Sequence, residues 1–302
     1  MTIDVQGALM RLIPSEVEMT IRQRPEYQDP ERDKHLRALE DQWHLTGSYN
    51  AMDCINVIRG EPFSIDAYVM LSDIETLSLK NRTLVLERGL FASRLLLGEQ
   101  FMEEERGNFY GLLETRPHMR LLQRKMLIQA KQGNRGATIQ TGWEIVDLNT
   151  NDNLGARAVL MDHLLKESDI VGAKRLMALF PDDTMPSITY GSVLVALSEG
   201  RDEDAWRALR KADMFQPYVV RALLGETLIS DEVGGGRSPM GGTTEAMDYI
   251  TYAGDLWTND PAAMVLLNTY AASRPEDWDR LSAIRSGEWR NDGTEDDPDA
   301  GH

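Results

Sequence analysis

The sequence has 302 residues, of which 42% are hydrophobic and 27% charged, a composition typical of a folded protein rather than a disordered one. Its 49 Asp and Glu against 32 Lys and Arg give a net charge of −17, which disfavours binding to nucleic acids and anionic membranes. The single cysteine, Cys54, excludes an intramolecular disulfide and a cysteine-rich zinc site. With no signal pattern at its start and no long apolar run, the sequence predicts a cytoplasmic protein.

Helical periodicity runs through most of the chain. Leu, Ala, Arg, Glu and Met recur at spacings of three and four, and alternating runs of Val, Ile and Thr are absent. The pattern predicts helices near residues 31–44, 66–79, 82–104, 117–132, 135–148, 154–167, 169–180, 187–199, 202–213, 217–229, 243–257, 261–272 and 276–285. Because the connections between them are short, we predict an all-α fold of stacked antiparallel helix pairs, a tetratricopeptide-like α-α superhelix.

The predicted helical array extends over residues 31–286, whereas residues 1–30 give no clear pattern. Residues 233–242 (VGGGRSPMGG) are rich in glycine, which predicts a flexible loop. Residues 287–302 contain six acidic residues and one basic residue, with little besides Trp289 to bury. We expect this last segment to be an acidic disordered tail.

One segment, 186–219, fits the template of a tetratricopeptide repeat, which spans about 34 residues in two helices. Its features are a turn glycine, two alanines and a leucine at helical spacing, and a helix-ending proline: Gly200, Ala205, Leu209, Ala212 and Pro217. Small residues allow two helices to approach closely. Gly142, costly inside a helix, predicts the same close packing in an earlier hairpin. The alternative is a helical bundle without repeats.

Three stretches carry more specific motifs. They are RGNFYGLLETRPHMR at 106–120, LNTNDNLGARAVL at 148–160 followed by FPDD at 180–183, and AMDYITYAGDLWTNDPAAMVLL within 244–267. They resemble bacterial tetratricopeptide-like proteins related to the suppressor of tumorigenicity seven family, over roughly residues 66–270. His118 and Thr150 depart from the tyrosine and proline of that family. The resemblance implies a helical-repeat fold and an interaction role rather than a reaction.

A basic segment stands out in this acidic chain. Residues 116–143 contain no Asp or Glu but six basic residues, Arg116, Arg120, Arg124, Lys125, Lys131 and Arg135. The first three recur every four residues, which places them on one face of a helix that Thr115 can cap. Because the arginine fork binds carboxylates bidentately, we predict that this face receives an acidic peptide or a C-terminal carboxylate in a groove. The predicted binding residues are Arg116, Arg120, Arg124, Lys125, Asn151 and Asn153.

The same arginines have a structural interpretation. They could hold the loop around Phe109 and Tyr110 through ion pairs with four upstream glutamates, Glu103, Glu104, Glu105 and Glu114. The two aromatic residues of that loop are expected to pack in the core rather than to form a ligand platform.

Motifs of catalysis are missing from the sequence. The five histidines form no zinc-binding pair, no Gly-x-Ser-x-Gly elbow occurs, and the glycines at 234–236 lack the Lys-Ser/Thr of a phosphate loop. Residues 149–155 resemble a calcium loop, but Leu160 stands where the bidentate Glu belongs. We therefore expect no metal, no cofactor and no enzymatic activity.

Two functions from different classes remain. The first is a scaffold or adaptor that binds another protein or a peptide of acidic character, without direct contact to nucleic acid or membrane. The second is an acidic effector or inhibitor that occupies a nucleic-acid-binding protein through its negative surface. The acidity itself is consistent with halophily, with general solubility or with mimicry of nucleic acid.

Overall fold

The computed structural model describes residues 37–39, 41, 49–232 and 238–273. Regular structure in these residues is helical, and strand-like pairing is confined to an isolated bridge between Asn108 and Asn149. The prediction of an all-α helical array is confirmed. The predicted segment 1–30, the helix near 276–285 and the tail 287–302 lie outside the described residues, as do residues 233–237 of the glycine-rich loop.

The helices follow one another through short connections, and neighbours along the chain pack as pairs, for example α2 with α3 and α9 with α10. The helices are α1 (Ala51–Gly60), α2 (Ile65–Ser72), α3 (Leu79–Leu97), α4 (Glu99–Glu104), α5 (Arg116–Lys131), α6 (Arg135–Leu148), α7 (Ala156–Lys166), α8 (Ile170–Leu179), α9 (Pro186–Ser198), α10 (Asp202–Phe215), α11 (Pro217–Leu223), α12 (Thr243–Thr258) and α13 (Pro261–Ser273). A short 3₁₀ turn (Phe109–Gly111) lies between α4 and α5.

Polar N-caps explain where four of the helices begin. The side-chain oxygens of Asn50, Ser78, Asn134 and Asp169 accept backbone N–H groups in the first turns of α1, α3, α6 and α8, at 2.8–3.3 Å. Each bond satisfies a donor that has no partner within its own helix. These caps fix the residue at which each of the four helices begins and leave fewer backbone N–H groups unpaired.

The observed helix bounds depart from the sequence prediction in four places. The predicted helix 66–79 ends early, at Ser72. Helix α1 is missing from the prediction, although Cys54, Ile55 and Ile58 recur at helical spacing and are buried. The predicted helix 82–104 is divided at Gly98. The backbone of Gly98 has a φ of 78°, which is not helical, and α3 therefore ends before it. The predicted helix 217–229 ends early, at Leu223.

The chain divides into two compact units, one up to Leu160 and the other from Met161. In the core of the first unit, Tyr68 and Leu121 pack around a glycine of α3. A Cβ built on Gly89 would stand 2.8 Å from the Tyr68 Cβ and 2.9 Å from the Leu121 Cδ1. The missing side chain therefore lets α3 lie close to both α2 and α5.

Close packing also occurs at Gly142 of α6, where a Cβ would lie 3.1 Å from the Cβ of Leu160. This confirms the close approach that the sequence predicts at this position. The glycine is tolerated inside the helix because a larger side chain would push α6 away from its neighbour.

The second unit is built around the α9–α10 pair and an aromatic cluster. Tyr190 of α9 lies 5.7 Å from Tyr249 and 5.9 Å from Trp257, measured between ring centroids. The Trp257 Nε1–H donates to the Tyr249 hydroxyl at 2.8 Å, so the polar atoms of the cluster are paired. Ala205, Leu209 and Ala212 of α10 are fully buried, as their spacing predicts.

Replacing Gly89 by alanine should destabilise the protein by about 1–3 kcal/mol, because the new methyl group overlaps two buried side chains in a packed core. Urea denaturation followed by circular dichroism measures the change. Gly136→Ala is the matched control, since a Cβ on Gly136 of α6 would meet nothing within 4 Å. The control should leave stability unchanged or raise it by up to about 1 kcal/mol. Equal effects in the two variants would contradict the close-packing account.

Candidate functional site

Helix α5 carries the predicted basic face, and it begins as the sequence predicts, with Thr115 at its N-cap and Pro117 in its first turn. The capping bond itself differs from the prediction. The Thr115 hydroxyl donates to the carbonyl oxygens of Phe109 and Leu112 and makes no bond to the first turn of α5. Thr115 therefore orders the preceding loop rather than the helix end.

Two arginines of the basic face form ion pairs with α2. Arg124 binds both carboxylate oxygens of Asp73, with its Nε and one terminal nitrogen each at 3.1 Å. Arg120 pairs with Asp66 through a terminal nitrogen. The partners are thus Asp66 and Asp73, not the four glutamates that the sequence suggests.

The third arginine of the face has a different environment. The Arg116 Nε–H donates to the carbonyl oxygen of Tyr110 at 3.0 Å, and its guanidinium carbon lies 5.2 Å from the centre of the Tyr110 ring. Neither contact supplies a negative charge. Among the described residues, no carboxylate pairs with Arg116, so its terminal nitrogens remain able to bind one.

Lys125 follows Arg124 on the same helix and is partly buried. It makes no hydrogen bond or ion pair with any described residue. Arg116 and Lys125 are therefore the two predicted binding residues of α5 whose charge is not neutralised by a carboxylate from the described part of the chain. Their spacing along the helix places Lys125 on the side of α5 opposite to Arg116.

The interior side of α5 is fixed by a buried histidine. The His118 Nδ1 lies 3.0 Å from the Ser93 hydroxyl, and its ring meets the fully buried Phe109 edge-on at 6.0 Å between centroids. Burial lowers the pKa of His118 to about 3, with the Arg94 charge acting in the same direction. His118 is therefore neutral and adds nothing to the basic face.

The loop before α5 is joined to the turn after α6 by backbone hydrogen bonds. The Gly107 N–H donates to the Leu148 carbonyl at 3.1 Å, and the Thr150 N–H donates to the Gly107 carbonyl at 3.0 Å. Arg106 adds ion pairs to Glu103 and Asp147. Two of the motif segments noted in the sequence, 106–120 and 148–160, are thereby neighbours in space.

The predicted asparagines lie in that turn, and both Asn151 and Asn153 are exposed. The turn reaches α5 through Gln123, whose side-chain amide donates to the Leu154 carbonyl at 2.9 Å and whose oxygen lies 3.2 Å from a terminal nitrogen of Arg124. A single chain of hydrogen bonds therefore connects the basic face to the residue that follows Asn153.

Asp152, between the two asparagines, serves the fold. Its buried carboxylate accepts the N–H groups of Ala156 and Arg157 at 2.9 Å, and the Arg157 guanidinium lies 3.0 Å away. A carboxylate engaged with three donors has little capacity left for a cation.

A buried carboxyl group that the sequence does not single out lies in the second unit. Asp162 of α7 is 5% exposed, and its Oδ1 has no hydrogen-bond partner in the described residues. Burial raises the pKa of Asp162 to about 7, while a hydrogen bond with Ser187 and the nearby Lys166 ammonium favour ionisation and the Asp255 carboxylate opposes it. Lys166 also pairs with Asp255, at 3.2 Å.

Groups of three or more His, Cys, Asp or Glu side chains placed to hold a metal ion do not occur among the described residues. In the same residues, no helix has the length and apolar character needed to cross a membrane. Comparison with protein-family models, with curated proteins and with solved structures finds no match for this chain. The site must therefore be interpreted from its own chemistry.

Sequence reasoning missed the partners of the basic face. Asp66 of α2 and Asp73, the residue that follows α2, lie seven positions apart, which is two helical turns, so they lie on the same side. That spacing is a usable signal, because it provides two carboxylates to match two of the arginines on α5. Gln123 gave no signal, since its role depends on a loop 31 residues further along the chain.

The Arg124–Asp73 pair should contribute a coupling free energy of about 0.5–1 kcal/mol, since the pair is bidentate but its side chains are 27% and 35% exposed. A double-mutant cycle of Arg124→Gln and Asp73→Asn, followed by urea denaturation, measures it. The control cycle uses Arg207 and Asp204, an (i, i+3) pair in which the arginine is 73% exposed. Coupling no larger than in the control would mean that Asp73 does not fix Arg124.

Asp162→Asn should change how stability depends on pH. Because the folded-state pKa is raised from 3.8 to about 7, the native state holds the proton more tightly, and stability falls as the pH rises from about 4 to about 7. The variant lacks this loss and should be more stable than the unmodified protein at pH 8, by about 1–3 kcal/mol. Chemical denaturation at a series of pH values tests this. Asp248→Asn, an exposed change on α12, should keep the original pH dependence.

Proposed function

We propose that this chain is a non-enzymatic helical-repeat protein of tetratricopeptide-like architecture that binds another protein and acts as a scaffold or adaptor. Its ligand would be an acidic segment or a C-terminal carboxylate, received at α5 by the basic face, which consists of Arg116, Arg120 and Arg124, and by Lys125 further round the helix. The observation on which the proposal depends is charge segregation. Helices α5 and α6 contain six basic side chains and only two acidic ones, in a chain of net charge −17.

The four cationic residues would have two different roles. Arg120 and Arg124 are held by Asp66 and Asp73, so they would position the face and reduce its charge rather than bind the ligand directly. Arg116 and Lys125 have no carboxylate partner among the described residues, so they would supply the ion pairs to an acidic ligand. Asn151 and Asn153 are exposed and would offer hydrogen bonds to its backbone.

The motif resemblance agrees with this proposal. The segments 106–120 and 148–160 resemble one family of tetratricopeptide-like proteins, and their loops are joined by backbone hydrogen bonds beside α5. A cytoplasmic location fits the single cysteine. Cys54 is fully buried, and burial raises the pKa of its thiol to about 12, so it remains protonated and unreactive.

The test replaces the two unneutralised cations. Arg116→Gln with Lys125→Gln should reduce recovery of a partner from the native lysate by about tenfold, because two ion pairs of up to about 1 kcal/mol each are lost. Changing Arg120 or Arg124 to glutamate is a poorer test, since the new charge would face Asp66 or Asp73 and disturb the fold. Quantitative mass spectrometry of captured proteins gives the readout.

The control is Arg59→Gln with Lys80→Gln, which removes the same charge from two exposed positions in the first unit. It should retain the partner at the original level. Equal recovery with all three proteins would contradict a role for the basic face. That outcome would favour the alternative, an acidic effector or inhibitor whose negative surface is the binding element.

A further inference from the structure

A second surface with binding character lies in the second unit, in a groove between α8 and α10 that has α9 as its floor. Two adjoining cavities of about 360 and about 150 Å³ form this α8–α10 groove, and Met177, Ser192 and Ala208 line both of them. Val195 and Ala196 complete the larger cavity, whose volume lies within the range of about 300–1,000 Å³ typical of small-ligand sites.

The hydroxyl groups of the floor are already satisfied. The Ser192 hydroxyl donates to the Thr189 carbonyl at 2.7 Å, and the Thr189 hydroxyl donates to the Met185 carbonyl at 3.0 Å. Their hydrogens are therefore not available to an occupant. The floor favours an apolar side chain, because a polar one would lose its hydration without gaining a donor.

Most charges at the rim of the groove are paired within the chain. Lys174 lies 2.7 Å from Glu199, and Arg201 pairs with both Glu199 and Asp204 at 2.5 and 2.6 Å. Asp183 accepts a backbone N–H at 2.8 Å. Lys174, Glu199, Arg201 and Asp204 therefore form a self-contained network whose charges cancel.

Lys211 is the exception at this rim. It lines the smaller cavity, is exposed, and makes no hydrogen bond or ion pair with any described residue. An unpaired ammonium group beside an apolar floor is complementary to a ligand that combines an apolar group with a negative charge.

We infer that the α8–α10 groove binds an acidic peptide segment of a partner protein, with an apolar side chain against Met177 and Ala208 and a carboxylate at Lys211. The inference shares its ligand class with the proposed function but uses a separate surface in the other unit.

The experiment uses two fluorescent probes with the full chain. Anilinonaphthalene sulfonate is apolar and anionic, and phenylnaphthylamine has the same ring system without the charge. Ala208→Phe places a ring in the groove at a half-buried position and should abolish the part of the binding of both probes that is due to the groove. Lys211→Gln should lower the affinity for the sulfonate probe by about threefold to fivefold and leave the affinity for the neutral probe unchanged.

Lys131→Gln is the matched control, since it neutralises an exposed lysine on α5 without touching the groove. It should bind both probes as the unmodified protein does, and circular dichroism confirms that each variant is folded. Binding of both probes that survives Ala208→Phe would overturn the inference. The inference would also be overturned if Lys211→Gln left the ratio of the affinities for the two probes unchanged.

Competition then identifies the ligand as acidic. The peptide acetyl-Leu-Glu-Leu-Glu-amide should displace the sulfonate probe at about threefold to fivefold lower concentration than acetyl-Leu-Gln-Leu-Gln-amide, and this difference should disappear in Lys211→Gln. Equal displacement by the two peptides would overturn the acidic character of the occupant. Failure of the α5 variants in the pull-down leaves this result unaffected, because Arg116 and Lys125 belong to the first unit.

Discussion

Two arginine–aspartate pairs hold α5 against α2, and much of the first unit depends on them. They bring residues more than 50 positions apart into contact and fix the orientation of α5, which contains three arginines and no acidic residue. Because the pairs are only partly exposed, their carboxylates also remove charge from the face they create. The charge that these aspartates leave unneutralised is that of Arg116 and, on the opposite side of α5, that of Lys125.

The sequence predicted most of the architecture because helical periodicity and capping are local properties. Helix α6 begins and ends where its pattern indicates, and Gly142 and Ala205 lie at close contacts as their small size suggests. Helix α1 was not predicted, although Cys54, Ile55 and Ile58 recur at helical spacing. The misplaced or missing bounds fall on short helices, namely α1, α2, α4 and α11.

The environment of the candidate site was harder to predict, for a physical reason. The charge run in 116–143 is visible in the sequence, but the partner of each cation is set by tertiary packing. Asp66 and Asp73 became relevant only once α2 lay beside α5. Likewise, Lys211 looks ordinary in the sequence, and its significance comes from the contrast with Lys174 and Arg201, whose charges are paired at the same rim. Charge patterns locate a candidate surface, whereas contacts decide which of its residues are available.

The bridge between Gly107 and the turn at Thr150 has an evolutionary consequence. These two connections exchange backbone hydrogen bonds in register, and the φ of 93° at Gly107 is accessible mainly to glycine. An insertion of one residue in either connection would shift its donors and acceptors out of line with those of the other. Related chains that lengthen one connection should therefore lengthen or reshape its partner as well, so that the two loops vary as a single inherited unit rather than independently.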